Sequence, residues 1–249
     1  MIPKIIHYCW FGGKELPQSA VNCIESWKKF CPDYEIKRWD ESNFDMEENR
    51  FVSQAYHAKK YAFVSDYARF KILIEDGGIY LDTDVELLKP LDDLLDNHAF
   101  MGFEKSGSEI TGVAPGLIIG TQPHAQFLTD MVACYNGISF CDDAGNQTAK
   151  TVVKYMTDYL VERGCVVEDK LQTVDGITLY PTEYFCPKDY ESGEIHIGAN
   201  TYSVHHYDST WWPAKSLYLR ELTEKYGRKK GLLLYRLTMP FKVKLWRNR

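Results

Sequence analysis

The segment from Tyr61 to Leu88 restricts the possible fold more than any other part of the chain. Its first half has apolar residues at the spacing of an amphipathic helix, namely Tyr61, Val64, Ala68 and Ile72. Asp76-Gly77-Gly78 follows, and glycine is favoured where a helix ends in a left-handed conformation. Ile79-Tyr80-Leu81 then predicts a short buried strand. A helix that leads into a buried strand indicates an α/β fold with a mostly parallel sheet.

The rest of the chain continues this alternation of strands and helices. Apolar and alternating stretches predict strands near residues 2–10, 34–39, 100–103, 116–120 and 204–207. Helical spacing predicts helices that follow Pro17 and lie near residues 51–58, 123–135 and 148–163. A flexible Gly/Ser loop is expected after Phe103. We assign residues 1–212 to one α/β domain with helices on both faces of its sheet.

Charge is distributed unevenly along the chain. The formal net charge is −6, yet residues 225–249 contain nine of the 29 basic residues and no acidic one. The preceding part therefore carries 20 basic and 35 acidic residues, a net charge of −15. An acidic body of this kind disfavours nucleic acid as a partner. We assign residues 213–249 to a C-terminal helical basic tail, which Pro240 divides into two short pieces.

The basic tail mixes its cations with large apolar residues, as segments that lie on a membrane surface do. The alternative is an ordinary final helix packed on the acidic body. Seven cysteines without a Cys-x-x-Cys pair are typical of a reducing cytosol. We see no signal peptide and no stretch long enough to span a membrane. These features predict a cytoplasmic protein with peripheral contact at the inner face of the cell membrane.

Asp82 and Asp84 follow the predicted strand, at the place where open α/β sheets bind ligands. A spacing of two in extended chain puts both carboxylates on one side. Such hard oxygen donors suit Mn²⁺ or Mg²⁺ shared with a substrate diphosphate. His205 and His206 point to opposite faces of a strand, so at most one can be a third ligand. A solvated turn is the alternative, because an acidic chain contains Asp-x-Asp triplets by chance.

Three further side chains have residue types suited to a sugar-phosphate ligand. Asp66 and Arg69 lie three apart, on one face of the helix that leads into the strand. They offer an acceptor for hydroxyl groups and a planar cation for phosphate, or they form an exposed ion pair. Trp10 precedes Gly12-Gly13, where the backbone can approach a ligand closely. Its indole either stacks on a nucleobase or packs in the core.

Several segments together resemble glycosyltransferase family 32. Residues Ile2 to Gly13 resemble the amino terminus of the family. Ser65 to Arg69 and Gly77 to Asp84 resemble its sugar-binding core, which also occurs in the glucosyltransferase domains of the large clostridial toxins. Tyr180 to Pro187 and His205 to Trp211 resemble the carboxy-terminal part of bacterial members. The similarity covers about residues 1 to 212.

This resemblance implies a GT-A fold and transfer of a hexose from a nucleotide-sugar with retention of anomeric configuration. It implies that Trp10 stacks on the base, which favours a UDP-sugar. It also implies Mn²⁺ or Mg²⁺ as cofactor. Bacterial members suggest a growing glycan or a lipid-linked acceptor in capsule, exopolysaccharide or lipopolysaccharide synthesis.

The resemblance also assigns three groups of residues. Those implied to act in catalysis are Asp66, Arg69 and Asp82. Those implied to bind the substrate are Trp10, Tyr80, Asp66, Arg69, Ser209 and Trp211. Those implied to hold the metal are Asp82, Asp84 and His205, the last favoured over His206.

Two other functions are compatible with part of this pattern. Phosphatases of the haloacid dehalogenase type also place Asp-x-Asp after an apolar strand. Their motif has Thr or Val two residues after the second Asp, where this chain has Glu86. A catalytically inactive nucleotide-sugar-binding protein would keep the same fold and site. Turnover of a nucleotide-sugar, compared with release of inorganic phosphate, distinguishes the three functions.

Overall fold

The computed structural model describes residues 1–190, 192–208, 218–219, 222–223 and 225–247, and only the backbone at 228, 229 and 240–247. The chain divides into two compact units, Met1–His206 and Tyr207–Arg249. The predicted domain boundary between residues 212 and 213 lies outside the described residues.

The first unit is built on β-strands that form two sheets. In chain order the strands are β1 (Ile5–Cys9), β2 (Glu35–Trp39), β3 (Gly78–Tyr80), β4 (Val85–Leu87), β5 (Ala99–Ser106), β6 (Glu109–Val113), β7 (Ile119–Thr121), β8 (Gln172–Val174), β9 (Ile177–Tyr180) and β10 (Ser203–His205). The large sheet has the order β2-β1-β3-β7-β5-β9-β8, and β6 pairs with β5. Its strands β1, β2, β3, β5 and β9 run in one direction and β6, β7 and β8 in the other. Strands β4 and β10 form a separate antiparallel pair.

Helices flank this sheet and supply much of the core. They are α1 (Gln18–Phe30), α2 (Arg50–His57), α3 (Tyr61–Asp76), a short 3-10 helix (Asp92–Leu94), α4 (Gln126–Asn136), α5 (Val152–Val161) and α6 (Thr182–Phe185). Helix α3 buries its apolar side, including Phe63, Tyr67 and Phe70, in a core shared with α2 and α4. This arrangement confirms the predicted α/β class, with helices beside a sheet whose strands mostly run in one direction.

A hairpin replaces the flexible loop that was predicted after Phe103. Strand β5 continues to Ser106 and pairs with β6, and Gly107 between them has a φ of +59°. Glycine adopts this left-handed conformation readily, so it permits a tight turn. The prediction of a loop was wrong because the Gly/Ser residues form the tip of a hairpin.

Helix α1 holds β4 in place from far along the sequence. The buried Trp27 indole donates a hydrogen bond to the Val85 carbonyl at 2.8 Å. The Leu87 amide donates to the Ser26 hydroxyl at 2.9 Å. These bonds fix the short strand that follows Asp84, and β4 in turn pairs with β10.

His7 is a buried connection between three parts of the sheet. Its Nδ1 accepts a hydrogen bond from the Trp39 indole at 3.1 Å, and its Nε2 lies 3.0 Å from the Gly77 carbonyl. These contacts require a neutral ring with the proton on Nε2, because Nδ1 is the acceptor. Gly78 has a φ of +92°, and a Cβ there would lie 2.7 Å from the Ile5 carbonyl. Burial lowers the pKa of His7 to about 4.

Most of the described residues of the second unit are helical. Residues 218–219, 222–223 and 225–226 are helical, and helix α7 spans Arg228–Arg247. The predicted division at Pro240 is wrong, since one helix continues through it. The fixed φ of proline is compatible with helical geometry, so the loss of one N–H group does not end the helix here. Among the described residues, no helix combines the length and the apolar composition that a membrane crossing requires.

Replacing His7 with Gln should remove part of the acid sensitivity of the fold. The pKa of His7 is about 4 in the folded chain and about 6.5 in the unfolded chain. Between these values only the unfolded state binds the proton, so the free energy of unfolding falls as the pH falls. The expected loss from this residue is about 2.5 kcal/mol near pH 4.5. Urea denaturation near pH 7 and near pH 4.5 measures it.

The carboxylates titrate in both proteins. The difference between wild type and His7→Gln in the stability lost from pH 7 to pH 4.5 therefore measures the contribution of the imidazole. If both proteins lose the same stability between the two pH values, His7 is not a neutral buried group.

Candidate active site

The chain turns sharply after β3 and brings two aspartates to the edge of the sheet. The Leu81 amide donates to the His7 carbonyl at 3.1 Å, which keeps the chain against β1. The Val85 amide donates to the Asp82 carbonyl at 3.1 Å, which closes a turn. The expected extended geometry of residues 82–84 is therefore wrong, because a turn must join β3 to β4, which lies in a different sheet. The turn still brings the carboxylates of Asp82 and Asp84 together.

Asp82, Asp84 and His205 form one group of potential metal ligands. One ligand atom from each lies within 4.8 Å of the others. His205 Nε2 lies 3.0 Å from Asp84 Oδ1. The neighbouring His206 has its Nε2 2.8 Å from Glu86 Oε2 instead. The antiparallel pairing of β10 with β4 thus brings His205, and not His206, to the two aspartates.

Arg69 is buried at the centre of this site, with a side chain that is only 3% exposed. Its Nη2 lies 2.8 Å from Asp66 Oδ1 and 3.3 Å from Asp82 Oδ1. Its Nε donates to the Ser65 carbonyl at 3.1 Å. The guanidinium lies 4.8 Å from the centre of the Tyr80 ring, and the Tyr80 hydroxyl donates to Asp82 at 3.0 Å. Asp66 and Arg69 therefore do not form an exposed ion pair but belong to a buried network that joins α3 to the end of β3.

One nitrogen of Arg69 remains available to a ligand. Its Nη1 is buried and makes no hydrogen bond to any residue that the structure describes. A buried donor without a partner is costly, so a bound oxygen atom from a phosphate or a hydroxyl group would stabilise it.

The electrostatics of the site favour an additional positive charge. Burial raises the pKa of Asp66 to about 7, although Arg69 opposes this change. Burial and the charge of Asp84 also raise the pKa of Asp82. Burial alone would lower the pKa of His205, but the charge and hydrogen bond of Asp84 raise it to about 9. The raised pKa values of the two carboxyl groups mean that their negative charge is poorly stabilised. A bound divalent cation would stabilise it.

The donor set fits Mn²⁺ or Mg²⁺. The two carboxylates supply the oxygen ligands that both ions prefer, and a substrate can add further oxygens, whereas the imidazole nitrogen suits Mn²⁺ better than Mg²⁺. Asp82, Asp84 and His205 are therefore the residues that would hold the ion.

Gly116 lies directly over this site, although the sequence pattern assigned it only to an apolar strand. Its carbonyl accepts a hydrogen bond from the Asp82 amide at 3.3 Å. A Cβ at this position would collide with Asp82 Oδ2 and lie 3.3 Å from Arg69 Nη1. The missing side chain leaves room for the carboxylate of Asp82 beside Arg69. No local sequence signal could have identified this contact, since Gly116 is 34 residues from Asp82.

Trp10 lies at the same edge of the sheet, because β1 and β3 are parallel neighbours. It is half-buried rather than part of the core. Its indole donates to the Lys14 carbonyl at 2.7 Å, and its amide donates to the Trp39 carbonyl at 2.9 Å. Of the described residues, none from the Asp82 group forms a hydrogen bond with Trp10. Because Trp10 is only half-buried, part of it remains accessible to a ligand.

The loop after Trp10 is tightly held. The Gly12 amide donates to Glu41 Oε1 at 2.5 Å, and Gly12 packs so closely on the Tyr61 ring that a Cβ would collide with it. The other predicted substrate-binding residues, Ser209 and Trp211, lie outside the described residues.

Residues 17–101 match the family model described as a glycosyltransferase sugar-binding region containing the DXD motif. The matched part contains Asp66, Arg69, Asp82 and Asp84. This match confirms the family resemblance that the sequence motifs indicated. Over these residues the chain is therefore similar to glycosyltransferases that carry a DXD sugar-binding region.

Individual relatives cover different shares of the chain. An uncharacterized glycosyltransferase of Acanthamoeba polyphaga mimivirus is 29% identical over 82% of this chain and 83% of its own length. Inositol phosphoceramide mannosyltransferase 3 of Schizosaccharomyces pombe is 38% identical over 38% of this chain, which spans 27% of that protein. Among solved structures, a glycosyltransferase involved in glycosylation of the major capsid of PBCV-1 is 14% identical. It has a TM-score of 0.47 and is matched over 84% of this chain and 95% of its own.

Replacing Gly116 with Ala should disturb the site and leave the fold intact. The new methyl group must displace the carboxylate of Asp82, which is a flexible side chain, so the rest of the domain need not move. We expect Mn²⁺ binding, measured by titration calorimetry, to weaken about tenfold or more, a loss of roughly 1.4 kcal/mol. The melting temperature should change little.

Gly137→Ala is the matched control, because a Cβ there would meet its nearest neighbour at an ordinary 3.4 Å. Equal Mn²⁺ affinity in the Gly116→Ala variant and this control would remove Gly116 from the site.

Proposed function

We propose that this protein is a metal-dependent, retaining hexosyltransferase that uses a nucleotide-sugar donor. The observation that carries the proposal is the convergence of Asp66, Arg69, Asp82, Asp84 and His205 at one edge of the sheet. The DXD region lends further support, since its matched residues include four of these five side chains. This match favours a transferase over a phosphatase of the haloacid dehalogenase type.

The donor binds across the edge formed by β1 and β3. Trp10 stacks on the base, and a UDP-sugar is the donor that this stacking favours. The carboxylate of Asp66 accepts hydrogen bonds from the sugar hydroxyls. The free Nη1 of Arg69 contacts the sugar or the diphosphate. Three relatives are named as mannosyltransferases, which is consistent with transfer of a hexose.

The reaction breaks the bond between the sugar and the diphosphate, and negative charge then moves onto the leaving phosphates. Arg69 stabilises that charge from a buried position, where electrostatic interactions are stronger than in water. A divalent ion held by Asp82, Asp84 and His205 would supply further positive charge for the same oxygens. Arg69 and the ion stabilise the leaving phosphates without transfer of a proton, so no strong general acid is required.

Retention follows if the acceptor hydroxyl attacks from the face that the diphosphate leaves. The sugar has oxocarbenium character at that point, and the departing diphosphate accepts the proton of the attacking hydroxyl. The acceptor is a growing glycan or a lipid-linked sugar in synthesis of a surface polysaccharide such as capsule or lipopolysaccharide. We place the reaction in the cytoplasm, at the inner face of the cell membrane.

Asp84→Asn should abolish transfer without unfolding the protein. A neutral amide cannot replace an anionic ligand of the cation, so turnover of a nucleotide-sugar should fall by about 10³-fold or more, or roughly 4 kcal/mol. EDTA should stop the wild-type reaction and added Mn²⁺ should restore it. The measurement is release of nucleoside diphosphate from a panel of nucleotide-sugars.

Glu86→Gln is the matched control, because Glu86 is two residues away and lies against His206 instead of His205. This control should keep most of the activity. Near wild-type turnover of Asp84→Asn, or full activity in metal-free buffer, would refute the metal-dependent mechanism.

Trp10→Ala should weaken donor and free nucleoside diphosphate alike. Stacking of a base on an aromatic side chain contributes about 1–3 kcal/mol, so affinity should fall by about 5- to 150-fold. Trp10→Phe should recover part of this affinity because it restores an aromatic face. Calorimetry with UDP and GDP measures both variants, and unchanged affinity in Trp10→Ala would exclude stacking by this residue.

A further inference from the structure

Helix α7 has one side that packs within the second unit. At Gly231 the helix touches the preceding helical residues, and a Cβ there would lie 2.7 Å from the Leu222 carbonyl. The hydroxyls of Tyr218 and Thr238 form a hydrogen bond of 2.7 Å. The Tyr218 ring also packs against Tyr235, with ring centres 6.1 Å apart. This side of α7 is therefore occupied by the chain itself.

The side of α7 that carries Leu233 and Leu237, here called the leucine face, is exposed. These two side chains are 59% and 60% exposed, respectively. They are four residues apart and so are neighbours on the helix surface. Leu233 is two residues from Gly231, a rotation of about 200°, which places it nearly opposite the packed side. The cations Lys230 and Arg236 are also exposed beside it.

The charged residues of the segment that carries the leucine face, residues 225–249, all have one sign. Residues 225–249 contain nine basic residues and no acidic one, so no carboxylate of this segment neutralises them. Exposed leucines on a cationic helix need a partner that offers both negative charge and an apolar layer. Nucleic acid and polyphosphate offer only the charge. An anionic lipid surface offers anionic headgroups with acyl chains directly beneath them.

We propose that the leucine face docks this protein on an anionic lipid surface. Leu233 and Leu237 enter the outer acyl region, while Lys230 and Arg236 contact the headgroups. The helix lies in the plane of the surface, as its cations and mixed composition require. Each cation near such a surface strengthens binding by only about fivefold, so the few cations of this face give a reversible attachment. Raising the salt concentration screens this attraction and should release the protein.

Cosedimentation of the full-length chain with lipid vesicles tests the proposal. We expect the protein to sediment with vesicles of phosphatidylcholine mixed with phosphatidylglycerol, and to remain in the supernatant with phosphatidylcholine alone. The double substitution Leu233→Gln/Leu237→Gln should weaken binding about tenfold or more, because it removes the apolar contact. Lys230→Gln/Arg236→Gln should weaken it about 25-fold, at about fivefold for each cation.

Matched controls come from the first unit. Leu171 is 57% exposed, and Leu171→Gln should leave vesicle binding unchanged. The side chains of Lys150 and Lys154 are 59% and 56% exposed, and Lys150→Gln/Lys154→Gln should also have no effect. Circular dichroism of all variants checks that the helices are retained.

Three outcomes would overturn the proposal. The first is a wild-type chain that remains in the supernatant with anionic vesicles at low salt. The second is equal binding to anionic and neutral vesicles. The third is equal loss of binding in the leucine-face variants and in the controls. None of these measurements depends on sugar transfer, so failure of the transferase mechanism would be recognised separately.

Discussion

The buried ion-pair network of Arg69 is the interaction on which the rest of the site depends. Its guanidinium joins Asp66 of the same helix to Asp82 at the end of β3, at 2.8 Å and 3.3 Å. Removing one partner from a buried pair commonly costs about 3–5 kcal/mol, because the other charge is left without compensation. The network therefore sets the distance between α3 and the turn. It also leaves Arg69 Nη1 free for a ligand, so one residue combines a structural and a binding role.

A second constraint is the position of β4, which is held by segments that are distant in the sequence. Trp27 and Ser26 of α1 hold its backbone through two hydrogen bonds, and β10 pairs along its other edge. This pairing brings His205 to Asp84 across more than a hundred residues of sequence. The histidine side of the site therefore depends on the packing of the whole first unit, whereas the two aspartates depend mainly on a local turn.

The site and the C-terminal segment each carry an excess of charge, and the two excesses have opposite signs. The raised pKa values of Asp66 and Asp82 mean that the site stabilises its own negative charge poorly, and a bound cation would correct this. The opposite excess occurs in residues 225–249, which contain nine basic residues and no acidic one. Each excess favours a partner of the opposite sign, a divalent ion in one case and an anionic surface in the other.

The sequence by itself determined the α/β class, helix α3, the strand after it and the aspartates at its end, because periodicity and spacing are local properties of the chain. It misjudged the segment after Phe103 and the effect of Pro240, since composition does not decide whether a Gly/Ser stretch pairs or a proline ends a helix. Only the tertiary structure decided that His205 rather than His206 meets Asp84, that Arg69 is buried, and that Gly116 closes over Asp82. These contacts depend on strand register and on the close approach of distant backbone segments, and neither leaves a pattern in neighbouring residues.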